Sequence, residues 1–595
     1  MKKSGNKSDQ AKYKDLKKVT QRELRRAYWK YVEGIVTPQT DGEQGNGANK
    51  RFWTFIKHKK SDGNFIPPLK SNGLLHPGSK EKANILNNQF QKAFSESIHY
   101  TTQDFKERCE MPGYYHDMPE IHITEKGVLK LLMNLKVSKS PGPDNISPRV
   151  LKELALDIAP ILTLIFNQSY QTGEVPVIWR NANICPIYKK GKRFEAVNYR
   201  PVSLTCISCK LMEHIVTSNI MSHADRHKIL YPLQHGFRRG LSCETQLVDF
   251  IDDITRNMDE GKQTDCLVMD FSKAFDKVSH SLLVHKLHHY GIKGKTNKWI
   301  ESFLSDRGQQ VVIEGEASDN VPVASGVPQG SVLGPSLFLF YINDMPVELT
   351  SKVRLFADDT IAYLTITSNS DCEKLQKDLD RLAVWEDKWL MKFHADKCNV
   401  ISITKNRTLI KRNYTLRNHI LEQVTSTKYL GVTVSADLKW TPHINTICGK
   451  ANSTIGFLKR NLNISNRTIK ENAYKSLVRP SLEYACSVWE PHLKTDIDKL
   501  EKVQRRAARY VTNRYHNTSS VSEMIEHLEW STLAKRRQNA RLNLMYKMVN
   551  GKVLTDTAGK LIPNQRQSRT FNNQAFQIPR CRTNTRIRSP SIHGL

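Results

Sequence analysis

Apolar and polar positions follow three different patterns along the chain. From about residue 121 to 435, short apolar segments alternate with turn-forming residues, which is typical of mixed helices and strands. Residues 10–35 are charged at helical spacing, and the polar, glycine-rich residues 37–50 behind them predict a linker. Residues 51–60 and 79–95 predict further helices, and the chain beyond the central region is mostly helical in pattern and strongly basic. We therefore predict a mixed central region between helical flanks.

The stretch VRLFADDTIAYL, residues 353–364, places two adjacent carboxylates inside an apolar segment. Its flanks predict two short, half-buried strands, so Ala357, Asp358 and Asp359 should form the tight turn of a hairpin. Aspartate is a common turn residue, and this alone explains such a pair in most proteins. The two acids become candidate site residues only if other chemistry-bearing residues join them.

A third carboxylate follows a different apolar strand. Residues 264–280 begin with the strand Cys266 to Met269, which ends at Asp270, and a carboxylate at the end of a buried strand is costly without a partner. If Asp270 lies beside the hairpin turn, each close pair of carboxylates repels by about 4 kcal/mol at an effective dielectric near 20. Unless they are protonated or solvated, the three acids need a cation, and oxygen-only ligands favour Mg²⁺. Two such ions would contact the attacking and leaving oxygens of an in-line phosphoryl transfer.

The charge balance indicates a polyanionic partner. The 595 residues include 90 Lys and Arg against 59 Asp and Glu, a formal net charge of +31. An excess of this size is typical of proteins that bind nucleic acid. Within residues 498–514, helical spacing gathers four basic residues on the side opposite the apolar ones: Lys502, Arg505, Arg506 and Arg509. A solvated charged face is the usual explanation of this pattern, and a face that follows phosphates is the alternative.

Other features exclude two classes of protein. The 11 cysteines are scattered, and the basic N-terminus has no apolar segment behind it, so the sequence predicts neither a disulfide framework nor a secretory signal. No run of about 18 apolar residues exists, so no membrane span is predicted. We expect a protein of a reducing compartment that is neither secreted nor bound in a membrane.

Three motifs, taken in order, resemble those of a reverse transcriptase. Asp270 with Phe275 behind it, SGVPQGSVLGPSLFLFYINDM at 325–345 and FADD at 356–359 resemble motifs A, B and C of the polymerase palm. The amino-acid sequences of these motifs are similar to those of the non-LTR (LINE-type) retrotransposon enzymes, in particular the Jockey-like branch. The resemblance extends over roughly residues 50–555, and three ordered motifs are far more specific than any one of them.

The resemblance implies an α+β fold of the right-hand polymerase type, with fingers, a palm built on an antiparallel sheet, and a helical thumb. The implied order is a charged helix and linker at 1–50, a helical extension at 51–120, fingers at 121–262, the palm at 263–435, a helical, basic thumb at 436–555 and a basic, disordered tail at 556–595. Compared with members of this family, we expect this chain to lack the usual N-terminal endonuclease and to have a truncated C-terminus.

The same resemblance implies roles for individual residues. The metal-binding acids would be Asp270, Asp358 and Asp359, and Lys397 would protonate the pyrophosphate leaving group. The rest of the nucleotide site would consist of the cations Lys189, Lys190 and Arg200, the steric gate Phe275 against a 2′-OH, and the flexible turn of Gly326, Gln329 and Gly330.

Several of these roles have structural alternatives. Phe275 is also plausible as a core residue, and Lys397 as a surface lysine. Only one of Lys189 and Lys190 can occupy the position that the family uses. Asp276, also in motif A, is expected to cap or pair structurally, and the glycine-rich turn could simply begin a helix.

The implied activity is RNA-directed DNA polymerisation. The enzyme would extend a DNA 3′-OH along an RNA template with dNTPs and two Mg²⁺ ions, for which Mn²⁺ could substitute. The family further implies target-primed reverse transcription of the element's own RNA, in a nuclear or cytoplasmic ribonucleoprotein, with the nick supplied from elsewhere. The alternatives are a catalytically defective remnant that only binds RNA or DNA, and an organellar intron-type polymerase. The sequence predicts no oligomeric state.

Overall fold

The fold was analysed in a computed structural model, which describes residues 6–37, 46–60, 65–96, 98–108, 115–554 and 581–582. The chain divides into two compact units. The sheet unit comprises Ile66–Leu430 with Val553–Thr555, and the helical unit comprises Met1–Phe65, Gly431–Lys552 and Asp556–Leu595.

Helices account for most of the regular structure. In chain order they are α1 (Lys7–Val36), α2 (Asn46–Lys59), α3 (Ser79–Gln91), α4 (Thr102–Arg108), α5 (Glu125–Met133), α6 (Pro148–Glu153), α7 (Ala155–Thr172), α8 (Val177–Arg180), α9 (Ile207–Arg226), α10 (Cys243–Asp259), α11 (His280–His289), α12 (Gly294–Leu304), α13 (Gly334–Ile342), α14 (Asn369–Trp389), α15 (Thr441–Asn461), α16 (Arg467–Ala473), α17 (Arg479–Glu483), α18 (Lys494–Thr512), α19 (Val521–His527) and α20 (Leu533–Val549).

Strands are concentrated in the sheet unit. In chain order they are β1 (Leu69–Ser71), β2 (Leu74–His76), β3 (Asn181–Tyr188), β4 (Tyr199–Leu204), β5 (Gln263–Met269), β6 (Gly308–Ile313), β7 (Glu316–Ala317), β8 (Val321–Pro322), β9 (Lys352–Phe356), β10 (Asp359–Ile366), β11 (Asn399–Ile403), β12 (Thr415–Leu416), β13 (His419–Ile420), β14 (Glu422–Gln423), β15 (Ser426–Tyr429) and β16 (Val432–Ser435). These mixed helices and sheets confirm the α+β part of the prediction.

The main sheet has the strand order β14-β11-β5-β10-β9, with β5 in the centre. Strand β5 runs antiparallel to both neighbours, β10 and β11. Six of its seven residues are buried, and this burial explains the continuous apolar run of its sequence. The hairpin of β9 and β10 supplies one edge of the sheet, as the alternation around residues 353–364 predicts.

A second sheet carries the basic segment that follows residue 187. Its order is β4-β3-β6-β7, with β8 also paired to β6. Strands β3 and β4 are antiparallel, and Ile187 pairs with Arg200 near the turn that connects them. The turn therefore presents Lys189, Lys190 and Arg200 at the same end of this sheet.

Two predicted elements differ from the sequence-based expectation, and a third cannot be compared. The predicted linker is partly wrong, because residues 46–50 belong to helix α2, while 38–45 lie outside the described residues. The apolar run SVLGPSLFLFYI predicts a helix from Ser331, but α13 begins only at Gly334. The tail expected at 556–595 lies outside the described residues except for 581–582.

The helical unit contains the basic helix that the sequence predicts. The apolar face of α18 is buried, including Leu500, Val503, Ala507, Tyr510 and Val511. Helix α1 is different, because only Val32 and Val36 of its residues are buried. Along the described residues, no helix combines the length and the apolar character needed to cross a membrane.

Candidate active site

The three predicted acids meet at the end of the central sheet. Asp270 directly follows β5, Asp358 lies in the hairpin turn, and Asp359 is the first residue of β10. Thr360 pairs with Met269 across the antiparallel strands, so the next residues outward, Asp359 and Asp270, face each other in the same register. Asp358 is half-buried and Asp359 is exposed.

The hairpin turn is held by a segment to which the sequence analysis gave no role. Ala357 has a left-handed backbone, φ 53°, and its N–H donates to Oε1 of Gln234 at 3.0 Å. The Gly236 N–H donates to the same oxygen at 2.8 Å. A Cβ on Gly236 would lie 2.3 Å from the Ala357 nitrogen, so only glycine fits there. The polar-glycine sequence at 234–236 was the available signal for this contact.

The three acids repel one another as the sequence analysis expects. Desolvation by the surrounding protein, with the charges of Asp358 and Asp270, raises the pKa of Asp359 to about 6. Burial first, and then the charge of Asp270, raises the pKa of Asp358. In both cases Arg200 and Lys189 act in the opposite direction.

Cations border the same site. Lys397 Nζ lies 3.1 Å from Oδ2 of Asp270, and its position is fixed locally because the His394 N–H donates to the Asp270 carbonyl at 2.7 Å. Burial, and then the charges of Arg200 and Lys397, lowers the pKa of Lys189. Lys397 therefore forms an ion pair with Asp270, while about half of the Lys397 side chain stays exposed.

These groups line a cleft of about 520 Å³. Its wall includes Asp270, Asp358, Lys189, Arg200, Lys397, Phe275 and Gln329. Lys190 is not among the lining residues, so the structure brings Lys189 rather than Lys190 to the acids. A volume of this size suits a ligand of small-molecule dimensions.

Phe275 lies both in the cleft and against the core, the two placements that the sequence analysis considers for it. It lines the cleft, and its ring also stacks on Phe338 of α13 with centroids 4.6 Å apart and planes 15° from parallel. The ring is thus held by the core while it faces the cleft. Its neighbour Asp276 accepts a hydrogen bond from Nε2 of Gln329 at 2.8 Å, which is a structural pairing of the kind expected for this acid.

The two glycines of motif B allow close contact with the protein's own backbone. Gly326 has φ 90°, and a Cβ there would lie 2.7 Å from the Phe275 carbonyl oxygen. Gly330 has φ 120°, and a Cβ there would lie 2.6 Å from the Ser203 carbonyl oxygen. The sequence analysis attributed these glycines to the approach of a template base or nucleotide, whereas the contacts in the structure are with motif A and with β4.

The donor chemistry of the three acids fits a divalent cation, although their side chains do not form a closed ligand set. Within the described residues, no group of three or more His, Cys, Asp or Glu side chains is arranged to hold a metal ion. Asp270, Asp358 and Asp359 nevertheless supply hard oxygen donors, and their mutual repulsion favours a cation between them. Binding at Asp270 would compete with Lys397 for Oδ2.

The four predicted nucleic-acid-binding residues lie together on α18 in the helical unit. Lys502, Arg505 and Arg506 are exposed, and Arg509 is half-buried. Arg506 donates from Nη1 to Oδ1 of Asn452 on α15 at 2.9 Å. With the opposite face buried, the basic residues form one continuous solvent-facing strip.

Comparison with known proteins identifies the domain in which these residues lie. Residues 187–434 match the family model described as reverse transcriptase (RNA-dependent DNA polymerase), so the sheet unit carries a reverse transcriptase domain. The chain is 27% identical over 489 residues to the RNA-directed DNA polymerase from mobile element jockey of Drosophila melanogaster, covering 78% of this chain and 52% of the relative. It is also 27% identical to the probable RNA-directed DNA polymerases from transposons BS and X-element of the same organism, over 78% and 71% of this chain and 53% and 47% of those relatives.

The chain is therefore similar, over its reverse transcriptase domain and the segments beside it, to the reverse transcriptases of non-LTR retrotransposons. This confirms the family that motifs A, B and C indicate. The chain spans about half the length of the curated relatives that it matches.

Proposed function

We propose that the protein is an RNA-directed DNA polymerase that adds dNTPs to a DNA 3′-OH on an RNA template. The observation that carries this proposal is the meeting of Asp270, Asp358 and Asp359 at the ends of neighbouring strands, beside a cleft bordered by Lys189, Arg200 and Lys397. The reverse transcriptase match over residues 187–434 supports the same reaction.

In this proposal Asp270, Asp358 and Asp359 hold two Mg²⁺ ions, or Mn²⁺ as a substitute. Bound there, the ions supply Lewis-acid stabilisation of the attacking and leaving oxygens. Arg200 binds triphosphate oxygens through its planar guanidinium, and Lys189 adds a point charge. Lys397, close to Asp270, donates a proton to the pyrophosphate leaving group.

The remaining residues of the cleft act on the nucleotide. Phe275 excludes a 2′-OH with a ring that Phe338 holds in place. Gln329 forms part of the wall beside it, and Gly326 and Gly330 let the loop that carries Gln329 approach motif A and β4 closely. Lys190, outside the lining, contributes at most to the general positive potential of this end of the sheet.

The larger arrangement proposed is that of a right hand. Fingers at 121–262, a palm at 263–435 and a helical thumb at 436–555 agree with the element content of each segment. Lys502, Arg505, Arg506 and Arg509 on α18 bind the phosphates of the template–primer duplex. The reaction in the cell is target-primed reverse transcription of the element's own RNA within a ribonucleoprotein.

The alternative of a remnant that binds nucleic acid without turnover is less well supported. A decayed copy has no need to keep three costly acids in mutual contact, yet Asp270, Asp358 and Asp359 interact here with three cations around them.

Primer extension tests the proposal. The chain is assayed on poly(rA) with an oligo(dT) primer and dTTP, with Mg²⁺ or with EDTA. Extension should require the metal and should be lost in the double variant Asp358→Asn, Asp359→Asn, while Asp380→Asn, at an exposed acid of α14, should extend normally. No extension by folded wild type, or extension that survives in the double variant, would overturn the assignment.

A further inference from the structure

The loop from Ser325 to Leu333 leads into α13 and reaches the cleft through one residue. It carries Gln329, which lines the cleft. Two glycines with positive φ, Gly326 and Gly330, lie within it. Such a loop has many accessible backbone conformations. The groups that hold it in one conformation therefore determine the position of Gln329 in the cleft.

His280, the first residue of α11, holds the beginning of the loop. Its Nε2 lies 2.7 Å from the Gly326 carbonyl oxygen, and since a carbonyl can only accept, Nε2 carries the proton. Burial lowers the pKa of His280 to about 4, so the ring is neutral near pH 7 and offers this N–H as an uncharged donor.

Glu213 of α9 holds the end of the loop. Its Oε2 accepts hydrogen bonds from the N–H groups of Val332 at 2.6 Å and Leu333 at 2.9 Å. These N–H groups stand where α13 begins and where helical backbone donors lack partners within the helix. Glu213 is 0% exposed, so no water replaces it.

Between these two anchors the loop is bonded to the chain around motif A and to β4. The N–H of Gly326 donates to the Val278 carbonyl at 2.8 Å, and that of Val327 to the Phe275 carbonyl at 2.8 Å. The Ser203 N–H of β4 donates to the Gln329 carbonyl at 2.7 Å. His280 and Glu213 thus complete a set of contacts that fixes both ends of the segment bearing Gln329.

We propose that His280 and Glu213 are positioning residues for nucleotide binding, which act by fixing the 325–333 loop against the cleft. Neither lines the cleft that contains Asp270 and Asp358, so neither would touch the nucleotide. This inference rests on the proposed polymerase function. Loosening the loop should weaken the fit of the incoming nucleotide and so raise its KM, while the acids and the chemical step stay in place.

The test compares substitutions that remove the contacts with ones that retain them. His280→Leu removes the donor, and His280→Gln keeps an N–H of similar reach. In wild type and both variants, KM for dTTP and kcat are measured on poly(rA)/oligo(dT), and hydrogen exchange of residues 325–333 is followed by mass spectrometry. We expect His280→Leu to raise KM about five- to tenfold with little change in kcat, to speed exchange in the loop, and His280→Gln to restore both.

A matched control separates positioning from general stability. Asp378 of α14 is also 0% exposed, and it likewise accepts from two backbone N–H groups, those of Thr350 at 3.0 Å and Ser351 at 2.7 Å. Glu213→Ala and Asp378→Ala therefore remove similar bonds at different places. Only Glu213→Ala should raise KM for dTTP when the two variants lose a similar amount of stability.

The outcomes distinguish this inference from the proposed function. Equal KM changes in Glu213→Ala and Asp378→Ala, or a His280→Leu protein with the KM of wild type, would overturn it. If wild type fails to extend primers, the polymerase assignment fails, and hydrogen exchange alone then tests the anchoring. Unchanged exchange of the loop in His280→Leu and Glu213→Ala would show that neither residue fixes it.

Discussion

Gln329 donates a hydrogen bond from its side-chain amide to Oδ1 of Asp276 at 2.8 Å. The acid follows Phe275 in motif A and the amide stands in motif B, so one side-chain bond joins two of the three motifs. Burial raises the pKa of Asp276, and the hydrogen bond from Gln329 to the carboxylate partly offsets this rise.

Replacing the amide with an acid should make stability depend on pH. In Gln329→Glu two carboxylates meet at this contact, and we expect a loss of roughly 3 kcal/mol near pH 7. The loss should shrink near pH 5, where the pair can share one proton. Denaturant midpoints at both values measure it, each relative to wild type at the same pH. Gln329→Met, which adds no charge, should show the same loss at both.

Alanine at the motif B glycines should combine backbone strain with steric overlap. Gly315 has φ 89° and nothing within 4 Å of an added Cβ, so Gly315→Ala should cost only about 1 kcal/mol from its left-handed backbone. Gly326 has a similar φ, but a Cβ there would lie 2.7 Å from the Phe275 carbonyl oxygen. Gly326→Ala should therefore cost about 2 kcal/mol more than Gly315→Ala and should impair primer extension. Equal losses in the two variants would show that the close contact is not restrictive.

The hairpin that carries Asp358 and Asp359 should depend on a buried ion network around Arg354. Arg354 of β9 donates from Nη2 to Oδ2 of Asp253 at 2.7 Å and from Nε to the Tyr363 hydroxyl at 2.8 Å. Arg354→Leu leaves these partners buried without their cation, so we expect a loss of about 3–5 kcal/mol in the free energy of unfolding. The double variant Arg354→Leu, Asp253→Asn should recover part of it. A double-variant loss equal to the sum of the two single losses would contradict the coupling.

His280 should make the folded protein less stable in mild acid. Its folded pKa of about 4 lies below the ordinary value near 6.5, so below that value the unfolded chain takes up the proton more readily. The stability contributed by the neutral ring is therefore full above about pH 6.5 and is lost as pH falls toward 4, by about 2 kcal/mol at pH 5. Denaturant midpoints from pH 7.5 to 5 should fall less in His280→Gln than in wild type. Parallel curves would contradict the assignment.

The basic strip on α18 should set the salt dependence of nucleic-acid binding. If Lys502 and Arg505 each neutralise one phosphate, changing either to Gln should reduce the slope of log Kd against log salt by roughly 0.7–0.9. Fluorescence anisotropy with a labelled poly(rA)/oligo(dT) duplex between 50 and 200 mM salt measures the slope. Arg417 is already paired with Glu386 and Asp387, so Arg417→Gln should leave the slope unchanged. An unchanged slope in the Lys502 and Arg505 variants would remove α18 from the binding surface.

Sequence reasoning located the acids because each follows or interrupts an apolar strand, a local pattern that burial makes costly. The register that brings Asp359 opposite Asp270 could only be inferred through the family resemblance, since strand pairing over such distances leaves no local trace. Gln234, His280 and Glu213 escaped prediction for a related reason. Their partners are backbone groups of distant segments, and a single polar residue among apolar ones gives no indication of which backbone it will meet. Helix α13 begins three residues later than its apolar run predicts, and Glu213, which accepts from the N–H groups of Val332 and Leu333 just before the helix, gave no sign of this contact in the sequence.

The central place of β5 determines when the site can come into being during synthesis. Its partner β10 lies 91 positions later, from Met269 to Thr360, and β11 begins only at Asn399. Until those segments have left the ribosome, both edges of β5 are unpaired, and Asp270 is not yet near Asp358 and Asp359. Unpaired strand edges can pair with the wrong strand. The three acids can therefore come together only late in the synthesis of the chain, after β10 has followed β5.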